Sequence, residues 1–134
     1  MKITRLKIAH ADARGSIRDI LDNVPLNSIT ILTSKKGVIR GNHYHKKTVQ
    51  WTYLLSGSVR YFARPVKGGQ TRSAVLKPGD LAVSLPWEAH TVVALEDCEF
   101  LAIAKGPRHG KNYEADTFRL SEPLVKAPKL SRGA

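Results

Sequence analysis

GVIRGNHYHKKTVQWTYLLSG, from Gly37 to Gly57, is the stretch whose reading decides the fold. It places His43 and His45 one residue apart, follows them with Gln50 where a carboxylate would be expected, and has a glycine at each end. Successive side chains of a strand point to opposite faces, so His43 and His45 share a face and their rings can converge. Val49 to Leu55 then alternates, with Val49, Trp51, Tyr53 and Leu55 on one face and Gln50, Thr52 and Leu54 on the other. As the hairpin partner of the histidine strand, this run would set Gln50 opposite the imidazoles.

The same pattern extends in both directions. Short runs of β-formers lie at 28–33, 38–45, 58–64, 71–77, 80–85, 91–95 and 99–104, and turn residues such as Lys67-Gly68-Gly69 separate them. Only 17–21 could be a helical turn instead of a strand. Many short strands with turn signals between them predict an all-β sandwich or barrel. Beyond Gly106-Pro107 the chain becomes polar, and Pro123 and Pro128 interrupt what remains. Residues 106–120 read as a tail packed along the barrel, closing a domain over 1–125, with 126–134 a mobile basic tail.

The 134 residues are 42% hydrophobic, enough for one domain with a buried core. Cys98 is the only cysteine and cannot form an intramolecular disulfide; among apolar neighbours it reads as a small buried hydrophobe. The opening MKITRLKIAHADARG lacks an apolar run of signal-peptide length, and no segment approaches the roughly 20 apolar residues that span a bilayer. A soluble protein in a reducing, cytoplasmic setting is expected.

A net charge of +11 raises the question of anionic partners. Every acidic residue lies at or before Asp22 or at or after Asp80, so the histidine motif sits in an acid-free stretch. Such a field attracts phosphate, on a nucleic acid or on a nucleotide-linked small molecule. No basic run interleaves aromatic residues and no helix-turn-helix signal is present, so a nucleic-acid-binding module ranks last. Most of these cations read equally well as solvated strand faces. Arg40 is tied to the motif by position.

His90, after the Pro86 turn, begins a later strand. Three imidazoles and the Gln50 amide could therefore meet in the mouth of a small barrel. Imidazole nitrogens suit transition metals, but they also titrate near neutrality and serve as acid or base without one. Both uses stay open at this point. Trp51 and Trp87 read as core or rim packing, and His10 and His109 as surface residues.

Gly37, His43, His45, Gln50 and Gly57 resemble the first motif of the cupin family, with Gln50 replacing its glutamate. Pro78-Gly79-Asp80, Pro86 and His90 resemble the second, with Trp87 where a glycine is usual. The resemblance implies a cupin jelly-roll β-barrel, a double-stranded β-helix. In metal-dependent cupins the positions of His43, His45, Gln50 and His90 hold Fe, Mn, Ni or Zn.

Asp12-Ala13-Arg14-Gly15, the segment Arg40 to Gln50 and the tail 112–120 resemble more closely the nucleotide-sugar cupins, dTDP-4-dehydrorhamnose 3,5-epimerases and dTDP-4-keto-6-deoxyhexose 3,4-ketoisomerases. That resemblance implies a cytoplasmic homodimeric isomerase of a 4-keto sugar that needs no metal. It implies His43 as base with His45 as its partner or relay, Arg40 on the diphosphate, and Gln50 and His90 against the substrate. Arg14 would be a substrate ligand at the dimer seam, or simply a turn residue before Gly15.

Overall fold

The computed structural model describes residues 1–107 and 111–126. Thirteen elements follow in order: β1 (Lys2–Arg5), β2 (His10–Asp12), β3 (Gly15–Ile17), β4 (Ser28–Ser34), β5 (Ile39–Tyr44), β6 (Val49–Ser56), β7 (Val59–Pro65), β8 (Arg72–Leu76), β9 (Asp80–Ser84), β10 (Glu88–Ala94), β11 (Cys98–Lys105), α1 (Lys111–Ala115) and β12 (Phe118–Arg119). Two antiparallel five-stranded sheets, ordered β1-β9-β6-β11-β4 and β12-β5-β10-β7-β8, form the body, and β2-β3 make a separate exposed hairpin. The expected all-β architecture is present. Residues 17–21 contain no helix, and α1 is one short turn inside the segment read as a tail. His109 and residues 127–134 of the basic tail lie outside the described residues.

The apolar faces of the two sheets bury Leu54, Val59, Tyr61, Leu76, Ala82, Val92, Cys98 and Phe100 against one another. Within β6 this makes Gln50, Thr52 and Leu54 the inward set. Cys98 is part of this core, as its apolar neighbourhood suggested.

One pairing differs from the expectation. β6 pairs with β9 and β11, not with β5, so Gln50 faces the histidine strand from across the sandwich instead of along a hairpin. The four residues between β5 and β6 do not turn back within one sheet; they cross from one sheet to the other. A crossing suits a barrel because it closes the edge that a simple hairpin would leave open.

β5 also carries a bulge. His43 pairs with His90 and Gly41 with Thr91, which leaves Asn42 as the extra residue at φ 56°. Directly paired residues share a face, and His90 and Val92 lie on the same face of β10. Arg40, paired with Val92, therefore comes to the inner face beside His43 although it lies three positions earlier in the chain. Without the bulge, alternation would send Arg40 outward.

Gly41 makes the bulge possible. Its φ is 110°, and a Cβ there would lie 2.6 Å from the His90 carbonyl oxygen and 3.1 Å from Thr91 Cα. Gly37 also has positive φ, 88°, but a Cβ there would meet nothing within 4 Å. We predict that Gly41→Ala costs about 2 kcal/mol or more in urea unfolding, and more than Gly37→Ala, which carries only the conformational penalty. Equal midpoints for the two variants would refute this account of β5.

Candidate functional site

The bulge and the sheet crossing bring His43, His45 and His90 together, with one ring nitrogen from each within 4.8 Å of the others. His45 lies just past the end of β5, yet its ring centroid is 5.0 Å from that of His43 and 5.4 Å from that of His90. His43 and His90 meet edge to face at 4.7 Å. His43 and His90 line a hollow of about 190 Å³ with Arg40, Gly41, Gln50, Thr52 and the apolar Leu32, Val92, Phe100 and Ala102. Among the described residues no carboxylate lines it.

Two of the rings are anchored by their Nδ1 atoms. His45 is 1% exposed and donates its Nδ1–H to the Asp116 carbonyl oxygen at 2.8 Å. His90 Nδ1 lies 2.8 Å from Ser84 Oγ, which itself donates weakly toward the Glu88 carbonyl at 3.5 Å. This pattern assigns Nδ1–H to both rings and leaves Nε2 as the acceptor nitrogen of each. Anchoring fixes tautomer and orientation together.

Asp116 also holds the crossing between the sheets. Its buried carboxylate accepts from the backbone N–H groups of Lys46, Lys47 and Thr48 at 3.0, 3.1 and 3.0 Å and from Thr48 Oγ1 at 2.7 Å. Burial alone would raise its pKa; the hydrogen bonds from Thr48, Lys46 and Lys47 outweigh that and hold it below the usual carboxylate range. Sequence reasoning missed Asp116. Its partners are mostly main-chain groups, which leave no side-chain pattern to read.

Trp87 occupies its glycine-like position at φ 64°. A bulky residue there is strained, and three contacts hold it. Its N–H donates to the His45 carbonyl at 2.7 Å, its carbonyl accepts from Val66 N–H at 3.0 Å, and its ring stacks on Tyr44 at 5.6 Å. Tyr44 stacks in turn on Phe118, with Lys46 Nζ above Phe118 and Trp87. Tyr44 thus faces outward, and Trp87 packs on the rim as expected. Trp51 is half-buried on the outer face of the other sheet, where it lines a groove with Val49, Leu81, Val83 and Leu85.

Arg40 borders the hollow, but it is not idle. Its Nε donates to Ser34 Oγ at 2.8 Å and an Nη to the Thr33 carbonyl at 3.0 Å, which stitches β5 to β4 across the open seam of the sandwich. It also lines a second cavity of about 510 Å³ with Ser34, Lys35, Val38 and Asp97. Arg14 is not brought to the hollow within this chain. It lies on the exposed β2-β3 turn with its guanidinium 2.7 Å from Asp12, whose pKa it helps lower to about 2. His10 is exposed on the same hairpin.

An antiparallel double sheet with a histidine cluster in its mouth defines the cupin class. Residues 10–118 match the family described as the polysaccharide biosynthesis C-terminal domain, and the chain belongs to that family. It is 35% identical over 98 residues to oxalate decarboxylase OxdC of Bacillus subtilis, covering 71% of this chain but only 24% of that protein. The rmlC epimerase of Mycobacterium tuberculosis superposes with a TM-score of 0.75 at 17% identity, over 88% of this chain and 67% of that one. QdtA, a sugar 3,4-ketoisomerase of Thermoanaerobacterium thermosaccharolyticum solved with TDP, gives 0.73 at 21% identity, over 90% and 88%. At these identities the solved structures speak for the fold.

Burial, then the neighbouring His45 and Arg119 charges, lower the His43 pKa to about 4, and burial pushes His90 well below its usual value. Both rings are neutral at pH 7. A histidine whose folded pKa lies below its unfolded value of 6.5 stabilises the fold above that value, and the contribution is lost as pH falls toward 4. We predict that unfolding free energy falls between pH 7 and pH 4.5, and that His43→Gln flattens part of the decline. A wild-type profile flat across this range would sink the buried-imidazole description.

Proposed function

We propose that this cupin isomerises a nucleotide-linked 4-keto-6-deoxy sugar, as a 3,4-ketoisomerase or 3,5-epimerase, by histidine acid/base catalysis without a metal. The observation that carries this reading is the convergence of His43, His45 and His90, with His43 and His90 held neutral by burial, at a hollow that Arg40 borders and no carboxylate of the described residues lines. The resemblance of Arg40 to Gln50 and of the tail 112–120 to the nucleotide-sugar cupins supports it.

A hydrogen on the carbon beside a carbonyl is acidic because its removal delocalises the electron pair onto oxygen. Neutral His43 accepts that proton and becomes imidazolium; the electron pair moves to the carbonyl oxygen as an enolate. Return of the proton to the opposite face of the same carbon completes an epimerisation; in a ketoisomerisation the neighbouring hydroxyl passes its proton to the enolate oxygen while the imidazolium proton goes to the former carbonyl carbon, with His45 as partner or relay. The small hollow suits the sugar, with Gln50 and His90 against it. The larger cavity, which shares Arg40, has room for the rest of an elongated ligand. Arg40 keeps unused donors that match a diphosphate oxygen. Arg14 would act across a dimer seam.

A homodimer belongs to this reading. The outer face of the β1-β9-β6-β11-β4 sheet carries the cross-strand rows Ile29, Ile103, Trp51, Val83 and Ile31, Leu101, Tyr53, Leu81. Ile29 and Ile31 are 63% and 62% exposed. Ile103, Tyr53 and Leu81 are already buried within the chain, so a second copy related by a twofold axis would cover chiefly the exposed isoleucines of β4. A cytoplasmic location also belongs here; among the described residues no helix is long and apolar enough to cross a membrane.

A second reading is a metal-binding cupin, dioxygenase-like or non-enzymatic, in which His43, His45, His90 and Gln50 hold Fe, Mn, Ni or Zn. The Nδ1 anchors favour it, since fixed imidazoles with Nε2 as acceptor are a usual metal shell. Such a metal would act as a Lewis acid or redox centre. The charge balance weighs against it, because the hollow offers a cation no carboxylate and a bordering guanidinium.

Millimolar dTDP is expected to raise the melting temperature. A dTDP-4-keto-6-deoxyglucose sample in D2O should take up deuterium beside its carbonyl, with the rate about 100-fold lower or more in His43→Gln. Absence of both the shift and the exchange in the wild type would rule out the isomerase. Near-stoichiometric metal by elemental analysis, lost in His43→Ala, would then establish the second reading.

A further inference from the structure

Proton abstraction by His43 leaves negative charge on the former carbonyl oxygen, and a buried site must offer that oxygen a fixed donor. Few of the polar side chains lining the hollow can do so. Arg40 gives two donors to Ser34 and Thr33 and, in the nucleotide-sugar reading, its others to the diphosphate. His90 spends its Nδ1–H on Ser84 and turns an acceptor, Nε2, toward the cluster. His43 is the base. Gln50 and Thr52 remain, and both come from β6.

Thr52 carries no role in the reading above. Alternation sets it on the inner face with Gln50, opposite the histidine strand, and it is only 3% exposed. Its cross-strand neighbours are Ala102 on β11 and Ala82 on β9. An alanine side chain has no acceptor and is too short to cover the hydroxyl. Among the described residues no group takes a hydrogen bond from Thr52 Oγ1. Burying an unpaired hydroxyl is costly, and valine would fill the same space without that cost. The hydroxyl has one outlet, the hollow that Thr52 lines. Because β6 is the central strand of its sheet, hydrogen-bonded on both sides, the donor is held in place before any charge develops.

We propose that Thr52 is a catalytic residue of the isomerisation, its Oγ1–H donating a hydrogen bond to the enolate oxygen that forms when His43 takes the substrate proton. The proposal rests on the nucleotide-sugar reading of the site and adds the group that stabilises its intermediate. Thr52 keeps its hydrogen throughout. The bond strengthens as charge gathers on the oxygen and weakens as that charge is neutralised, so the exchange of protons between substrate and imidazole is unaltered. Base and donor stand on opposite sheets, and the sandwich holds them on two sides of a sugar-sized space.

Deuterium exchange into dTDP-4-keto-6-deoxyglucose, followed across substrate concentrations in the full chain as wild type, Thr52→Val and Thr52→Ser, tests it, with calorimetric titration of dTDP alongside. Valine keeps the shape of threonine, so Thr52→Val should hold the wild-type melting temperature. Its kcat for exchange is expected to fall about 100-fold, with KM and dTDP affinity within about twofold of wild type. Such a split marks an interaction made in the transition state and not in the ground state. Thr52→Ser, which keeps the hydroxyl, should restore most of the rate. A kcat in Thr52→Val within threefold of an active wild type overturns the proposal and leaves the nucleotide-sugar reading intact. Equal losses in Thr52→Val and Thr52→Ser also overturn it, since shape and not the hydroxyl would then be what matters. A wild type that binds dTDP but exchanges nothing removes the isomerase reading and this proposal together.

Discussion

A single buried carboxylate holds the crossing on which the site depends. Asp116 collects three consecutive backbone N–H groups and one hydroxyl from Lys46, Lys47 and Thr48, the loop that carries the chain from one sheet to the other. Unsatisfied, the buried Thr48 donors would each cost about 1–3 kcal/mol, and an uncompensated buried charge would cost more. Together they satisfy one another. The same residue uses its carbonyl to hold His45, so the geometry of the loop and the orientation of the ring are set by one anchor.

The second constraint is the bulge at Asn42. Strand alternation allows one face to carry His43 and the residues two away, and Arg40 is not among them. One extra residue resets the alternation, and Gly41 permits it because the backbone of His90 and Thr91 leaves no space for a Cβ. The functional face of β5 is thereby assembled from positions that a regular strand would divide between hollow and solvent. Trp87 shows the same economy from the other side, its strained backbone held by the His45 carbonyl and by an aromatic stack.

Electrostatics follow from these placements. Packing three imidazoles into a small space keeps His43 and His90 neutral, since burial and mutual repulsion both oppose protonation. Guanidiniums stay charged at any working pH. The hollow therefore combines neutral bases with fixed positive charge, a combination suited to an anionic substrate that must lose and regain a proton. A metal would find suitable nitrogens there but little compensating charge.

Much of this was legible in the residues themselves. Alternation and turn signals marked the β-architecture because a period of two is a local property of the chain. The spacing of His43, His45 and Gln50 and the position of His90 identified the rings that meet, and the acid-free stretch from Asp22 to Asp80 foretold the sign of the field. Tertiary structure alone decided the rest. Gln50 faces the histidines from the opposite sheet, Arg40 turns inward through a bulge, and Asp116 returns from the end of the fold to hold His45. Each of these depends on strand register or on hydrogen bonds to main-chain groups, and those are properties of elements far apart in sequence that no local pattern of side chains encodes.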